Sequence, residues 1–201
     1  MYVRASTITA VALALGLAAC SSGGSARYGT GDPNLAAPNP AGGAIDPFLT
    51  DGHAVLQAFD AISARSGKPF RVTSVSADGV NGLSVDVQEP DHHVNVDRYV
   101  VAPDGTLAGP TPVRLTSLDG RPVTAQVVDY RSFDPHSVGF ERLTSTARAA
   151  IAGSHYPDAR VSEWEFGGIR PDDRRFMYLE SARARPAAEL GANLQIVALH
   201  Y

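Results

Sequence analysis

The densest group of side chains able to do chemistry is the run EPDHHVNVD at residues 89–97. Asp91, His92 and His93 stand side by side in it, and His53 lies upstream. Three or four such ligands converging on one point at about 2.0–2.3 Å would hold zinc. The spacing argues against it, because adjacent residues on an extended chain project to opposite faces. The run reads better as a polar turn between strands, and neither a metal nor another cofactor is expected. Six histidines with many serines and aspartates leave room for a Ser-His-Asp triad. However, the G-x-S-x-G, S-x-x-K, H-E-x-x-H and Walker A patterns are all absent. The SGK at 66–68 runs straight into Pro69 and lacks the glycine that opens a phosphate loop. No catalytic residue is assigned. A second cluster, WEFGGIRPDDRR at 164–175, combines Trp164 with Arg170, Arg174 and Arg175. Tryptophan and arginine anchor many interfaces, so a partner-recognition loop is one reading. Trp164 and Phe166 also alternate onto one strand face, which suits a core equally well. Arg183 and Arg185 in SARARP (181–186) extend the basic character toward phosphate or carboxylate groups, or are ordinary surface arginines.

The remaining reactive side chain is Cys20, the one cysteine in 201 residues. It follows Arg4 and an apolar run over residues 8–19, and it precedes SSGGS. A twelve-residue run is too short to cross a ~30 Å hydrocarbon core, which needs about 20 residues. It has the proportions of a secretion signal, and no other stretch is long or apolar enough to span. Leu17-Ala18-Ala19-Cys20 resembles the bacterial lipobox read by lipoprotein signal peptidase. The resemblance implies that residues 1–19 are removed and that Cys20 becomes the first residue, carrying a diacylglyceryl thioether and an acylated amine. Two or three acyl chains, at about 0.8 kcal/mol per buried CH₂, make a stable membrane anchor. A thioether at Cys20 also removes disulfide, thiol-nucleophile and cysteine–zinc chemistry from the mature chain.

Residues 20–47 are rich in Gly, Pro, Ser, Asn and Ala without periodicity, and read as a flexible, disordered tether. The folded part is then residues 48–201. Thr50 or Asp51 can cap a helix whose face is Val55, Phe59 and Ile62, with Gly67 and Pro69 as stop signals. Strands follow at 70–76, 83–88 and 94–101, the middle one alternating Leu83, Val85 and Val87 against Ser84, Asp86 and Gln88. Residues 112–130 read as a further hairpin turning at Asp119-Gly120. Asp134-Pro135 opens a second helix with Phe140, Leu143, Ala147, Ala150 and Ile151 as its stripe, ended by Gly153. Three strands close the chain, at 159–166, 175–184 and 194–201.

One pattern therefore occurs twice, at 50–130 and 131–201: a helix, then antiparallel strands. The expected fold class is α+β. The two units should pack as one compact domain, because ~70–80 residues alone make a marginal core without disulfides. The helix-then-meander order, with the strand-turn-strand YVVAPDGTL at 99–107, resembles PepSY-like and beta-lactamase-inhibitor-protein-like modules. That resemblance implies binding or inhibition rather than catalysis, and it transfers no site residue.

A net charge of −4 gives no reason to expect nucleic acid as a partner. The expectation is a lipid-anchored bacterial envelope lipoprotein whose domain, not an enzyme, binds another envelope protein or polymer. Ser21 stands where inner-membrane lipoproteins of enterobacteria carry Asp, which places the anchor on the periplasmic face of the outer membrane if the host has two membranes. An envelope hydrolase or metal-dependent enzyme using the histidines, and a structural subunit of a membrane complex, are the alternatives.

Overall fold

The structure is a computed structural model and describes residues 46–116, 121–167 and 175–201. The signal sequence, Cys20 and nearly all of the expected tether lie outside the described residues, as do the Asp119-Gly120 turn and the loop bearing Arg170 and Arg174. The folded part takes in slightly more of the chain than the composition suggests. Asp46 and Pro47, expected in the tether, are buried, and a 3₁₀ turn at Pro47–Leu49 buries Phe48 and Leu49 completely.

Helix α1 (Gly52–Ser66) starts where the capping signals place it. The Asp51 carboxylate accepts from the amides of His53 and Ala54 at 2.9 and 3.3 Å, which satisfies two otherwise orphaned donors. Its Val55, Phe59 and Ile62 face is fully buried, together with Ala54 and Ala58. Gly67, at φ +91°, ends it, a backbone geometry that favours glycine. A four-strand meander follows: β1 (Val72–Asp78), β2 (Gly82–Gln88), β3 (Val96–Val101) and β4 (Leu107–Pro112). The second half repeats the order with α3 (Leu143–Gly153), β5 (Arg160–Gly167), β6 (Arg175–Glu180), β7 (Ala187–Leu190) and β8 (Ile196–His200).

The two meanders join into one eight-stranded antiparallel sheet, ordered β4-β3-β2-β1-β5-β6-β7-β8. β1 and β5 meet antiparallel at its centre, with Val75 opposite Phe166 and Ala77 opposite Trp164. Each half is therefore the other turned about an axis normal to the sheet. The chain is one compact α+β domain with one continuous sheet. Both long helices cover the same side. Alternation sends Val75, Val85, Tyr99, Trp164, Phe166, Met177 and Leu179 into that single core. At the junction of the halves, Phe140 packs edge-on against Phe59 (5.2 Å between ring centres) and Phe166 (5.8 Å), and lies 5.5 Å from Trp164.

Four expectations change. Among the described residues, the expected hairpin over 112–130 shows an isolated bridge, Thr116 with Pro122, followed by a helix, α2 (Ala125–Arg131). The strand of that region is β4, whose Pro110 and Pro112 fit an edge position where ladder donors are dispensable. The second long helix begins at Leu143 rather than at Asp134. Asp134 instead caps a 3₁₀ turn, and Gly139 at φ +87° interrupts the helical path before a second 3₁₀ turn at Phe140–Arg142. The third strand starts at Val96, since residues 91–95 are bend and turn. The last half also holds four strands, with β7 inserted between the expected final two.

Candidate functional site

The sheet has a helix-covered side and an opposite, open side. Cross-strand register fixes what the open side carries. In the first half it presents Ser74, Ser76, Ser84, Asp86, Gln88, Val96, Arg98 and Val100. Much of this is already claimed by the chain. Val96 is buried against Val123 and Val128, with Val113 and Leu115 beside them, so α2 lies over the end of β2 and β3. The Asp129 carboxylate of α2 accepts from Gln88 Nε2 at 2.6 Å and pairs with His93 Nδ1 at 2.9 Å. Next to this patch, Arg98 grips Asp86 through two hydrogen bonds, Nε at 2.7 Å and Nη2 at 2.8 Å. Such forked pairing leaves neither group demanding a ligand, and the Asp86 bond raises the Arg98 pKa further against the cost of burial.

The second half is different. On β6 the core residues Met177 and Leu179 alternate with Phe176 and Tyr178, which point to the open side and are half-buried. On β7 and β8 the same side carries Ala187, Glu189 and His200, Ala187 being paired directly with His200. Phe176 and Tyr178 stack with centres 6.0 Å apart at 28°. The His200 ring lies 6.2 Å from Phe176. Glu189 Oε2 is 3.4 Å from His200 Nε2. On the neighbouring strand, Glu165 Oε1 accepts from the Tyr178 hydroxyl at 3.2 Å. Arg175, at the end of β6, holds its guanidinium 5.3 Å over the Phe166 ring. Phe176, Tyr178, Ala187, Glu189 and His200, with Arg175 and Leu190 at one end, line a pocket of about 480 Å³. Its size and its mixture of rings and convergent polar groups fall in the range of ligand sites.

The residues singled out in the sequence do not assemble here. His92 Nδ1 pairs with Glu89 at 3.1 Å and His93 with Asp129, so the adjacent histidines turn to different carboxylates. Asn95 also donates to Glu89, and these bonds hold the Glu89 carboxyl below its usual range. His53 contacts Gln57 within its own helix, and Asp91 is exposed. Among the described residues, no group of three His, Cys, Asp or Glu side chains is placed to hold a metal ion. Trp164 is 1% exposed and its Nε1 donates to the Phe48 carbonyl at 2.9 Å, so it serves the core and not an exposed recognition loop. Arg185 lies 3.7 Å from Glu163. Of the residues proposed for partner binding, Arg175 lines the pocket, Trp164 does not, and Arg170 and Arg174 lie outside the described residues. The site's main residues were missed, yet β6 carries a signal. Phe176-Met177-Tyr178-Leu179 is apolar at every position, which marks a strand with something to pack on both faces.

No protein-family model matches the chain, and no curated protein matches it significantly. Among solved structures, the fold is similar to that of a putative lipoprotein from Clostridium difficile 630, at 11% sequence identity and a TM-score of 0.52. The similarity covers 82% of this chain and 99% of that one. It concerns the fold.

Proposed function

We propose that this is a lipid-anchored envelope lipoprotein whose α+β domain is a non-catalytic binding module. The ligand meets the open side of β6–β8. One observation carries the binding half of the reading. The two halves share an architecture, but the chain covers and neutralises the open side of the first, while the second keeps an aromatic-floored pocket. Separately paired histidines fit a binding surface better than a reaction centre, where groups converge on one reacting atom. The anchoring half rests on Leu17-Ala18-Ala19-Cys20. The description of the similar Clostridium difficile protein as a putative lipoprotein supports it. Ser21 supports outer-membrane retention in a two-membrane host.

The anchor is tested with the full chain expressed in a bacterial host. The wild type should fractionate with membranes and yield an N-terminal peptide carrying diacylglycerol on Cys20. Cys20→Ser should be soluble or retain its signal. A Cys20→Ser protein that stays in membranes at the normal mature mass would refute the anchor.

A further inference from the structure

We propose that the β6–β8 pocket binds a neutral saccharide. The inference rests on the reading of this face as the ligand site and adds the chemical class of the ligand. Four features point to it. The first is the floor. Phe176 and Tyr178 are two residues apart on one strand, about 7 Å along the sheet, and their rings stack at 28°. His200 adds a third ring 6.2 Å from Phe176. Clustered aromatic rings suit the flat, C–H-bearing face of a pyranose. The second is the rim. The Glu189 carboxylate, the His200 imidazole and the Tyr178 hydroxyl stand beside those rings. Together they offer the acceptors and donors that hydroxyl groups need.

Charge is the third feature. Among the described lining residues the carboxylate is Glu189, paired with His200, while the register turns the Arg175 guanidinium to the helix side over Phe166. An anionic ligand would meet Glu189, and a cationic one would compete with His200 for that carboxylate. A neutral polar ligand hydrogen-bonds to Glu189 and to His200 alike. The fourth feature is size and texture. A pocket of about 480 Å³ has room for one or two sugar rings. Among the described residues its aliphatic lining is Ala187 and Leu190, whereas the centre of a protein–protein patch is usually dominated by buried apolar anchors.

The test uses the full lipidated chain in detergent micelles, with saturation-transfer NMR as the readout. The probes are N-acetylglucosamine trimer and maltotriose, which share the pyranose face and differ in the acetamido group. At least one should bind, and preference between them identifies the source of the sugar. Phe176→Ala should weaken that binding at least ten-fold, and Glu189→Gln should weaken it several-fold. His200→Ala, on the edge strand, is the second variant should Phe176→Ala melt early, and it should also weaken binding. Unchanged affinity in these variants would overturn the proposal. If neither sugar binds, a photo-crosslinker at Ala187 in native envelopes separates the two levels of the argument. A polypeptide adduct would overturn the saccharide and keep the binding face, and no adduct at all would overturn both.

Discussion

Asp46 offers the sharpest quantitative test of how the N-terminal segment is seated. The residue is 1% exposed, and its Oδ1 accepts from the Phe48 amide at 2.9 Å. Its Oδ2 is buried without a hydrogen-bond partner among the described residues. Burial pushes the carboxyl up to about 6. The Phe48 amide opposes the rise, and the negative charge of Asp78 adds to it. In the unfolded chain the same group titrates near its ordinary 3.8. Between these values the unfolded state releases the proton and the folded state keeps it, so stability falls as pH rises. The penalty is absent below about pH 3.8 and complete above about pH 6, where it amounts to about 3 kcal/mol. Asp46→Asn keeps the side-chain oxygen and abolishes the charge. The two proteins should match at pH 3.5, and the variant should be about 3 kcal/mol more stable at pH 7, or about 6–12 °C in melting temperature. Guanidinium titrations followed by the single tryptophan, Trp164, supply the readout, since its indole is bonded to Phe48. Taking the difference between the two proteins removes other groups that titrate in the same window. Parallel stability-versus-pH curves would refute the claim that Asp46 is held in an unfavourable, desolvated position.

Trp164→Phe removes the N–H that satisfies the buried Phe48 carbonyl. With the lost ring volume it should cost about 2–4 kcal/mol, measured by far-ultraviolet circular dichroism in urea. Gly52→Ala places a methyl group on the Phe140 carbonyl oxygen and should cost at least about 1–3 kcal/mol. In contrast, a Cβ at Gly79 would meet Leu49 at an ordinary 3.6 Å, and Gly79→Ala should stay within about 1 kcal/mol by the same melts. Val128→Asp puts a charge into the small valine cluster under α2. A seven-residue helix cannot stand alone, so amides of 125–131 should lose hydrogen-exchange protection while those of β5 and β6 keep theirs.

The legible elements are those in which local chemistry and burial agree. The 3–4 spacing of Val55, Phe59 and Ile62 between Asp51 and Gly67 gives α1 to within two residues, and the alternation of Leu83, Val85 and Val87 gives β2. The failures occur where local preference and tertiary context diverge. Val127-Val128 looks like strand because both are β-branched, yet only Val128 is buried and the segment coils over the sheet. Two prolines hide β4, which tolerates them at the sheet edge. Ala187–Leu190 has no β-branched residue and becomes a strand because β6 and β8 flank it. The pocket is harder to read than any strand. Its side chains come from three strands separated in sequence, and only the register of β6, β7 and β8 brings Phe176, Glu189 and His200 together.

The repeat itself explains why the halves differ in what they leave exposed. Each helix covers its own meander on one side, so the helix side is filled twice over by the same solution. β4 ends at the outer edge, whereas β5 must start at the centre, beside β1. The connection therefore has to return past β3 and β2. It does so with α2 over Val96 and Gln88, and it docks through Arg71, whose Nε donates to Ser132 Oγ at 2.8 Å, and through the Val72–Phe133 bridge. A topological necessity thus occupies the open side of the first half with backbone and valines. The bidentate Arg98–Asp86 pair beside it leaves little unmet hydrogen-bonding capacity. No such return passes over β6–β8 among the described residues. Phe176, Tyr178 and His200 line the pocket there on a sheet backed by α3 and the aromatic junction. Binding groups on strands, backed by a filled core, hold their geometry better than groups on loops, and that favours recognition on this half of the sheet.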